Sequence, residues 1–247
     1  MKVLSIDLDY IMAPSIQIYE GFAYDCNSTT RWNQLFDISD FTESHLVIDQ
    51  GNLLYCFDTF LQALNHCDSI SFGYDHDAIL FDIEDKSNID LINIDHHDDI
   101  IEAHFNRPNI SFDEALERNY EQICNANRVN EGTWGAWLAI QGKLNSYTWI
   151  GNHNSQCKNK NAFNSRIVPN YRNVERDNYK FDDYKFDHIF VCLSPQYIPK
   201  NHWHYFSMFM KACEHSGKNA AFHNKKFEIK FRYSEVEKVL GENKNGL

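Results

Sequence analysis

Six short apolar runs set the terms for how this chain can fold: residues 3–8, 46–48, 70–72, 91–94, 147–150 and 188–193. Each is three to six residues long, largely without clean alternation, and most end abruptly in polar residues. Strands buried on both faces read this way, as they do in a parallel sheet covered by helices. Between the runs lie helix-like segments at 53–64, 111–125 and 133–144. Strands alternating with helices predict βαβ units, hence an α/β fold built on a mainly parallel sheet. Residues 226–233 (KFEIKFRY) alternate apolar and charged side chains, which suits an edge strand with one wet face. Residues 78–83 fit either a strand or a short helix, and the polar stretch 152–183 reads as a long surface excursion. The chain carries no internal repeat and no Pro/Gly/Ser linker, so residues 1–247 read as one domain, with a frayed tail at about 241–247.

Composition narrows the classes. At 43% hydrophobic and 15% aromatic residues the chain can bury a sizeable core, which excludes wholesale disorder. A formal net charge of -12 argues against a nucleic-acid partner and suits a cation, either a metal or a positively charged substrate. No apolar stretch approaches the roughly 18–20 residues that cross a bilayer, so no membrane partner is expected. Asp7 and Asp9 interrupt what would be the core of a signal peptide. Seven cysteines, an odd number with no CxxC pair, read as reduced thiols and a cytoplasmic location.

The chemistry gathers where the runs end. VLSIDLDY delivers Asp7 and Asp9, HLVID delivers Asp49, SISFGYDHD delivers Asp75, His76 and Asp77, LINIDHHDD delivers residues 95–99, and TWIGNHN delivers His153. In an open parallel sheet, ligands bind outside the carboxyl ends of the strands. In an extended chain Asp95, His97 and Asp99 share one side, and His96 and Asp98 the other. Two carboxylates and an imidazole converging on one point form a mixed oxygen and nitrogen set that suits Mn, Fe or Zn. Asp7 and Asp9 alternate in the same way around Leu8, and two such close carboxylates repel unless a cation neutralises them. Asp7, Asp9, His76, Asp95, His97 and Asp99 thus form a candidate ligand set. Its four carboxylates balance two divalent ions, which bridging carboxylates hold about 3.5–4 Å apart.

Three motifs carry a resemblance. SIDLDYIMAP at 5–14, GYDHD at 73–77 and DHHDD at 95–99 resemble the S-F-D-x-D, G-G-D-H and D-x-H-x-D segments of the arginase/ureohydrolase superfamily of dimanganese hydrolases. The resemblance implies a three-layer arginase-like fold and two Mn2+ ions, other divalent ions being possible. Asp7 and Asp95 would bridge the ions, with His76 and Asp99 completing one site and Asp9 and His97 the other. The D-x-D strand comes first here, whereas in ordinary arginases it follows the other two motifs, so the order fits a circular permutation. The chain is also shorter, and the loops that grip a free amino acid are not recognisable. Those features look like the peptide arginases, which convert arginine to ornithine within ribosomally made precursor peptides.

The resemblance further implies hydrolysis of a guanidinium to urea by a metal-bridging hydroxide, with the substrate held by a carboxylate. Asp49 is the first candidate for that carboxylate, as the residue ending the strand after the D-x-D strand. Glu131, in NEGTWGAW, is the second, and His153 or His104 would shuttle protons. Each also has a plainer role: Asp49 as the cap of a turn, Glu131 as a first-turn helix acid. Trp134 and Trp137, at i and i+3, read as the core face of a helix. Alternatives stay open: a DHH-type dimetal phosphodiesterase, a haloacid-dehalogenase-type phosphatase, an amidohydrolase or deacetylase on the same fold, or a binding protein with a structural metal. The first lacks room for a His before Asp7 and has no GGGH-like run, and the second lacks the expected residue after its D-x-D.

Overall fold

The computed structural model describes residues 1–12, 32, 47–100, 129, 131–152, 155, 168 and 170–224. Within them seven strands form one sheet: β1 (Lys2–Asp7), β2 (Ser69–Gly73), β3 (Ile89–Ile94), β4 (Leu144–Gly151), β5 (Tyr171–Glu175), β6 (His188–Cys192) and β7 (Ala221–His223). Their spatial order is β5-β4-β3-β1-β6-β2-β7, and every pairing is parallel. The helices are α1 (Gln50–Leu64), α2 (Leu80–Ile83), α3 (Trp134–Ile140) and α4 (Trp203–His215). The fold is therefore α/β with a parallel sheet, as the apolar runs imply.

Alternation along the strands divides the core. Leu4 and Ile6 of β1, Ile92 and Ile94 of β3, and Ile189 and Val191 of β6 pack with α1 and α4 on one face. Val3, Leu91, Tyr147, Trp149 and Phe190 pack with α2 and α3 on the other. Helices on both faces hide both sides of each central strand, which explains why the runs do not alternate apolar with polar.

Local chemistry sets the helix ends. Asp49 caps α1, its carboxylate accepting from the Asn52 amide at 2.9 Å. Leu53, Cys56, Phe60, Ala63 and Leu64 then form the buried stripe of that helix. In α4, Phe206, Phe209 and Cys213 do the same. Gly217, at φ +73, closes α4: its amide bonds the Glu214 carbonyl and that of Lys218 bonds the Cys213 carbonyl. This is a Schellman ending, which favours glycine at the left-handed position.

Several expectations need correction. Residues 47–48 do not add a strand to the sheet; Ile48 makes one isolated antiparallel bridge to Met12. The stretch 152–183 is not all surface excursion, for it contains β5. The helix expected over 133–144 ends at Ile140, and Leu144 already opens β4. Residues 78–83 are helical, as the end of a 3-10 turn (His76–Ile79) running into α2. The expected helix at 111–125, the edge strand at 226–233 and the tail at 241–247 lie outside the described residues. The described Cys56, Cys67, Cys192 and Cys213 are buried free thiols. No helix among the described residues is long and apolar enough to cross a membrane.

Candidate metal centre

Asp7 closes β1 and Asp95 follows β3, and the register of these neighbours sets Ile6 opposite Ile94. The chain leaves β1 toward β2 on one side of the sheet and leaves β3 toward β4 on the other. That divergence opens the crevice in which parallel α/β proteins place their ligands. Asp9 is not in extended chain as the alternation assumes. It lies in a 3-10 turn (Leu8–Ile11) that Asp7 caps, with the Asp9 amide 3.1 Å from Asp7 Oδ1. Asp99 is likewise out of extended chain, at φ +50. An aspartate in the left-handed region is uncommon and marks a segment held by its surroundings.

Two ligand groups result, Asp7–His76–Asp95 and Asp9–Asp95–His97, with Asp95 common to both. His76 Nδ1 lies 2.8 Å from Asp99 Oδ2, 3.1 Å from Asp7 Oδ2 and 3.1 Å from Asp95 Oδ2. His97 Nδ1 lies 2.9 Å from Asp9 Oδ2 and 3.9 Å from Asp95 Oδ1. Asp95 therefore turns one oxygen to each group. The sequence-derived set of six meets at one rim: five of them form the two groups, Asp95 alone is in both, Asp7 is in the first only, and Asp99 is in neither but lies against His76. His76 is buried, while the His97 side chain is 32% exposed, so the second group is the one that opens to solvent.

The surroundings fix the donors. Ser5 Oγ is 2.6 Å from His76 Nε2. The tautomer with its proton on Nε2 donates to Ser5 and leaves the Nδ1 lone pair facing three carboxylate oxygens. The Trp134 indole N–H donates to Asp99 Oδ2 at 2.6 Å, and its ring flanks His76 at 4.8 Å. Both Trp134 and Trp137 are buried, as the helix-face reading expects, but Trp134 also reaches the centre. Asp95 Oδ2 accepts from the Asn93 amide group at 3.1 Å and Oδ1 from the His97 backbone at 2.8 Å. Ser5 opens the first motif without a role assigned to it and Asn93 lies outside the motifs, yet each stands two residues before an aspartate on the same strand face.

Charge is unbalanced at the centre. Burial, and then the charges of Asp7 and Asp95, push the Asp9 carboxyl well up. Burial and Asp95 do the same to Asp99. For His76 burial works downward but Asp99, Asp7 and Asp95 outweigh it, so its imidazole is held well above its ordinary value. Burial works upward on Asp95, but the His76 imidazole beside it outweighs that and holds the carboxyl below its ordinary value. Buried His76 Nδ1 and Asp9 Oδ2 make no well-formed hydrogen bond. Orphaned buried atoms of this kind, one in each ligand group of a mixed carboxylate and imidazole cluster, fit divalent ions with oxygen and nitrogen ligands.

The proposed substrate-handling residues fare unequally. Asp49 is half buried and caps α1; it does not end a sheet strand. The protein's own Arg176 shares that helix turn, donating to Asn52 Oδ1 at 2.7 Å. A Cβ on Gly51 would lie 3.0 Å from Arg176 Nη1 and 3.2 Å from Asp49 Oδ1. Glu131 is half buried, with Oε1 3.5 Å from the Gln196 side-chain amide, which donates to Asp75 Oδ1 at 2.8 Å. Asp75 directly precedes His76, so Glu131 is tied to the His76 side of the centre. His153 and His104 lie outside the described residues.

Comparisons of this chain with protein-family models, with curated proteins and with solved structures find no match.

Proposed function

We propose that this chain is a dimetal hydrolase of arginase-like, circularly permuted architecture that converts arginine side chains in a precursor peptide to ornithine and urea. The observation that carries the reading is the pair of ligand groups sharing Asp95, built from D-x-D, GYDHD and DHHDD at one sheet rim. Two Mn2+ ions held there would supply a water of lowered pKa and Lewis-acid stabilisation of the developing charge. As the resemblance implies, Asp7 and Asp95 would hold both ions, His76 and Asp99 would complete the buried position, and Asp9 and His97 the open one. The chain's acidity favours approach of a cationic guanidinium.

Two carboxylates compete to hold that guanidinium by paired hydrogen bonds. Glu131 is favoured over Asp49, because Gln196 and Asp75 link it to the His76 turn whereas Asp49 already serves as the α1 cap. The test is to incubate the Mn-loaded protein with arginine-containing peptides and with free arginine, following urea and peptide mass. Ornithine in the peptide with free arginine untouched supports the peptide reading. Turnover of free arginine alone would redirect it to the amino acid. No turnover of either by protein with bound metal overturns the guanidinium substrate, and simple phosphate esters and acetylated amines become the next substrates to assay.

A further inference from the structure

The strand beside β1 on the side away from β3 is β6, and its continuation brings Ser194 to the centre. Ser194 is buried, and its hydroxyl donates to Asp7 Oδ2 at 2.6 Å. That oxygen is the one lying 3.1 Å from His76 Nδ1. Ser194 is held at φ +49, a left-handed conformation that a residue other than glycine adopts at a cost. Its neighbours explain how it is kept there. The Leu193 and Ser194 amides donate to the carbonyls of Gly73 and Tyr74 at 3.0 Å each, tying the end of β6 to the turn that carries His76. The Cys192 thiol, 3.3 Å from the Ser194 hydroxyl, supports it from behind.

Asp95, common to both ligand groups, and Asp7, of the first group, are then satisfied alike. Asp95 receives one hydrogen bond on each oxygen, from Asn93 and from the His97 amide. Asp7 also receives one on each, from the Asp9 amide and from Ser194. A carboxylate oxygen that accepts one hydrogen bond keeps a lone pair for an ion, and its plane is fixed by the donors. Three of these four donors belong to the segments that also carry the ligands. Ser194 comes from a strand that contributes no ligand, 187 residues from Asp7.

We infer that Ser194 is a positioning residue that orients Asp7 to bridge two ions, acting only through that carboxylate. The inference rests on the dimetal reading and adds a determinant that none of the three motifs contains. Its test is a Mn2+ titration of the wild type, Ser194→Ala and Ser194→Gly, read by calorimetry and by the electron paramagnetic resonance of the bound ions. Glycine accepts φ +49 freely, so Ser194→Gly removes the hydroxyl without backbone strain. Both variants are expected to keep the wild-type near-UV circular dichroism. Both should bind the ions on the order of 10–100-fold more weakly, with the spin-coupled signal of a bridged pair reduced at equal loading. Wild-type affinity and coupling in either variant would overturn the inference while leaving the dimetal centre standing. Weakened binding in the alanine variant with full recovery in the glycine variant would also overturn it, by assigning the effect to the backbone. A wild type that binds no ion would remove the centre and this role together.

Discussion

Asp95 is the one side chain common to both ligand groups, so both proposed ion positions depend on it. Asp95→Ala is expected to abolish binding of both ions, whereas His97→Ala should spare the position around His76. Metal stoichiometry after dialysis separates these outcomes, and two ions retained by Asp95→Ala would end the dimetal reading. Neither change should unfold the chain, since removing Asp95 also relieves its repulsion of Asp9 and Asp99, and His97 is partly exposed. Trp134→Phe keeps the ring against His76 but takes the donor from Asp99. It should weaken the buried site by roughly tenfold with little change at the open one, a difference that stepwise titration resolves. At this scale the acid and histidine cluster is legible because such residues are costly to bury without a reason, and three motifs hold the residues that meet there. Ser5 and Asn93 were legible in principle from two-residue spacing. Ser194 was not, because its partner is remote in sequence and nothing local in LSPQY marks it. The geometry behind the grouping also differed from the expectation: a 3-10 turn and a left-handed aspartate, rather than plain alternation, bring Asp9 and Asp99 into place.

Among the elements, the end of β2 has little room for change. A Cβ on Gly73 would lie 2.8 Å from Phe190 Cζ and 3.2 Å from the Ala78 Cβ. Gly73→Ala is therefore expected to destabilise the protein by about 1–3 kcal/mol and to weaken metal binding by shifting His76. Urea unfolding and metal titration together check it, and a neutral result in both would mean that Phe190 yields freely. The start of α1 offers the contrasting case. Asp49→Ala should cost about 1 kcal/mol through loss of the cap while leaving metal affinity unchanged. Glu131→Gln should raise KM for the arginine peptide without touching stability or metal content. If Asp49→Ala raises KM and Glu131→Gln does not, the roles are exchanged. The strands flanking the centre could be read because they are short, apolar and buried on both sides. The run at 46–48 has the same appearance, and periodicity over three residues cannot tell a sheet strand from an isolated bridge. β5 (YRNVE) has the opposite problem: its composition is polar, and only pairing with β4 makes it a strand. α4 is not legible in the sequence because apolar side chains fall on several faces of WHYFSMFMKACEH and blur the buried stripe of Phe206, Phe209 and Cys213.

For the whole molecule, the ions and the fold should be coupled through protons. Asp9, Asp99 and His76 all have raised values, so each holds more protons folded than unfolded while the site is free of metal. Their contribution to the stability of the ion-free protein is present at low pH and is lost as pH rises through the folded values. Asp95 runs the other way: being lowered, it contributes stability that fades only as pH falls below the ordinary carboxylate range. Three groups against one predict that metal removal is felt more as pH rises. Ions that displace those protons bind more tightly at higher pH. Chelation should therefore lower the melting temperature more in weakly alkaline than in weakly acidic buffer, a comparison that thermal unfolding with and without EDTA provides. An equal drop at both would show that the cluster does not titrate with the ions. The place of β1 in the sheet carries one more consequence. It is the first of the described strands to leave the ribosome and also the central one, and its two neighbours arrive only with residues 89–94 and 188–192. The nascent strand must wait, its apolar side chains unpaired, while most of the polypeptide is synthesised. Closing such distant pairings is slow, and the waiting interval exposes the chain to aggregation. Chaperone supply and translation speed should then affect the yield of folded protein.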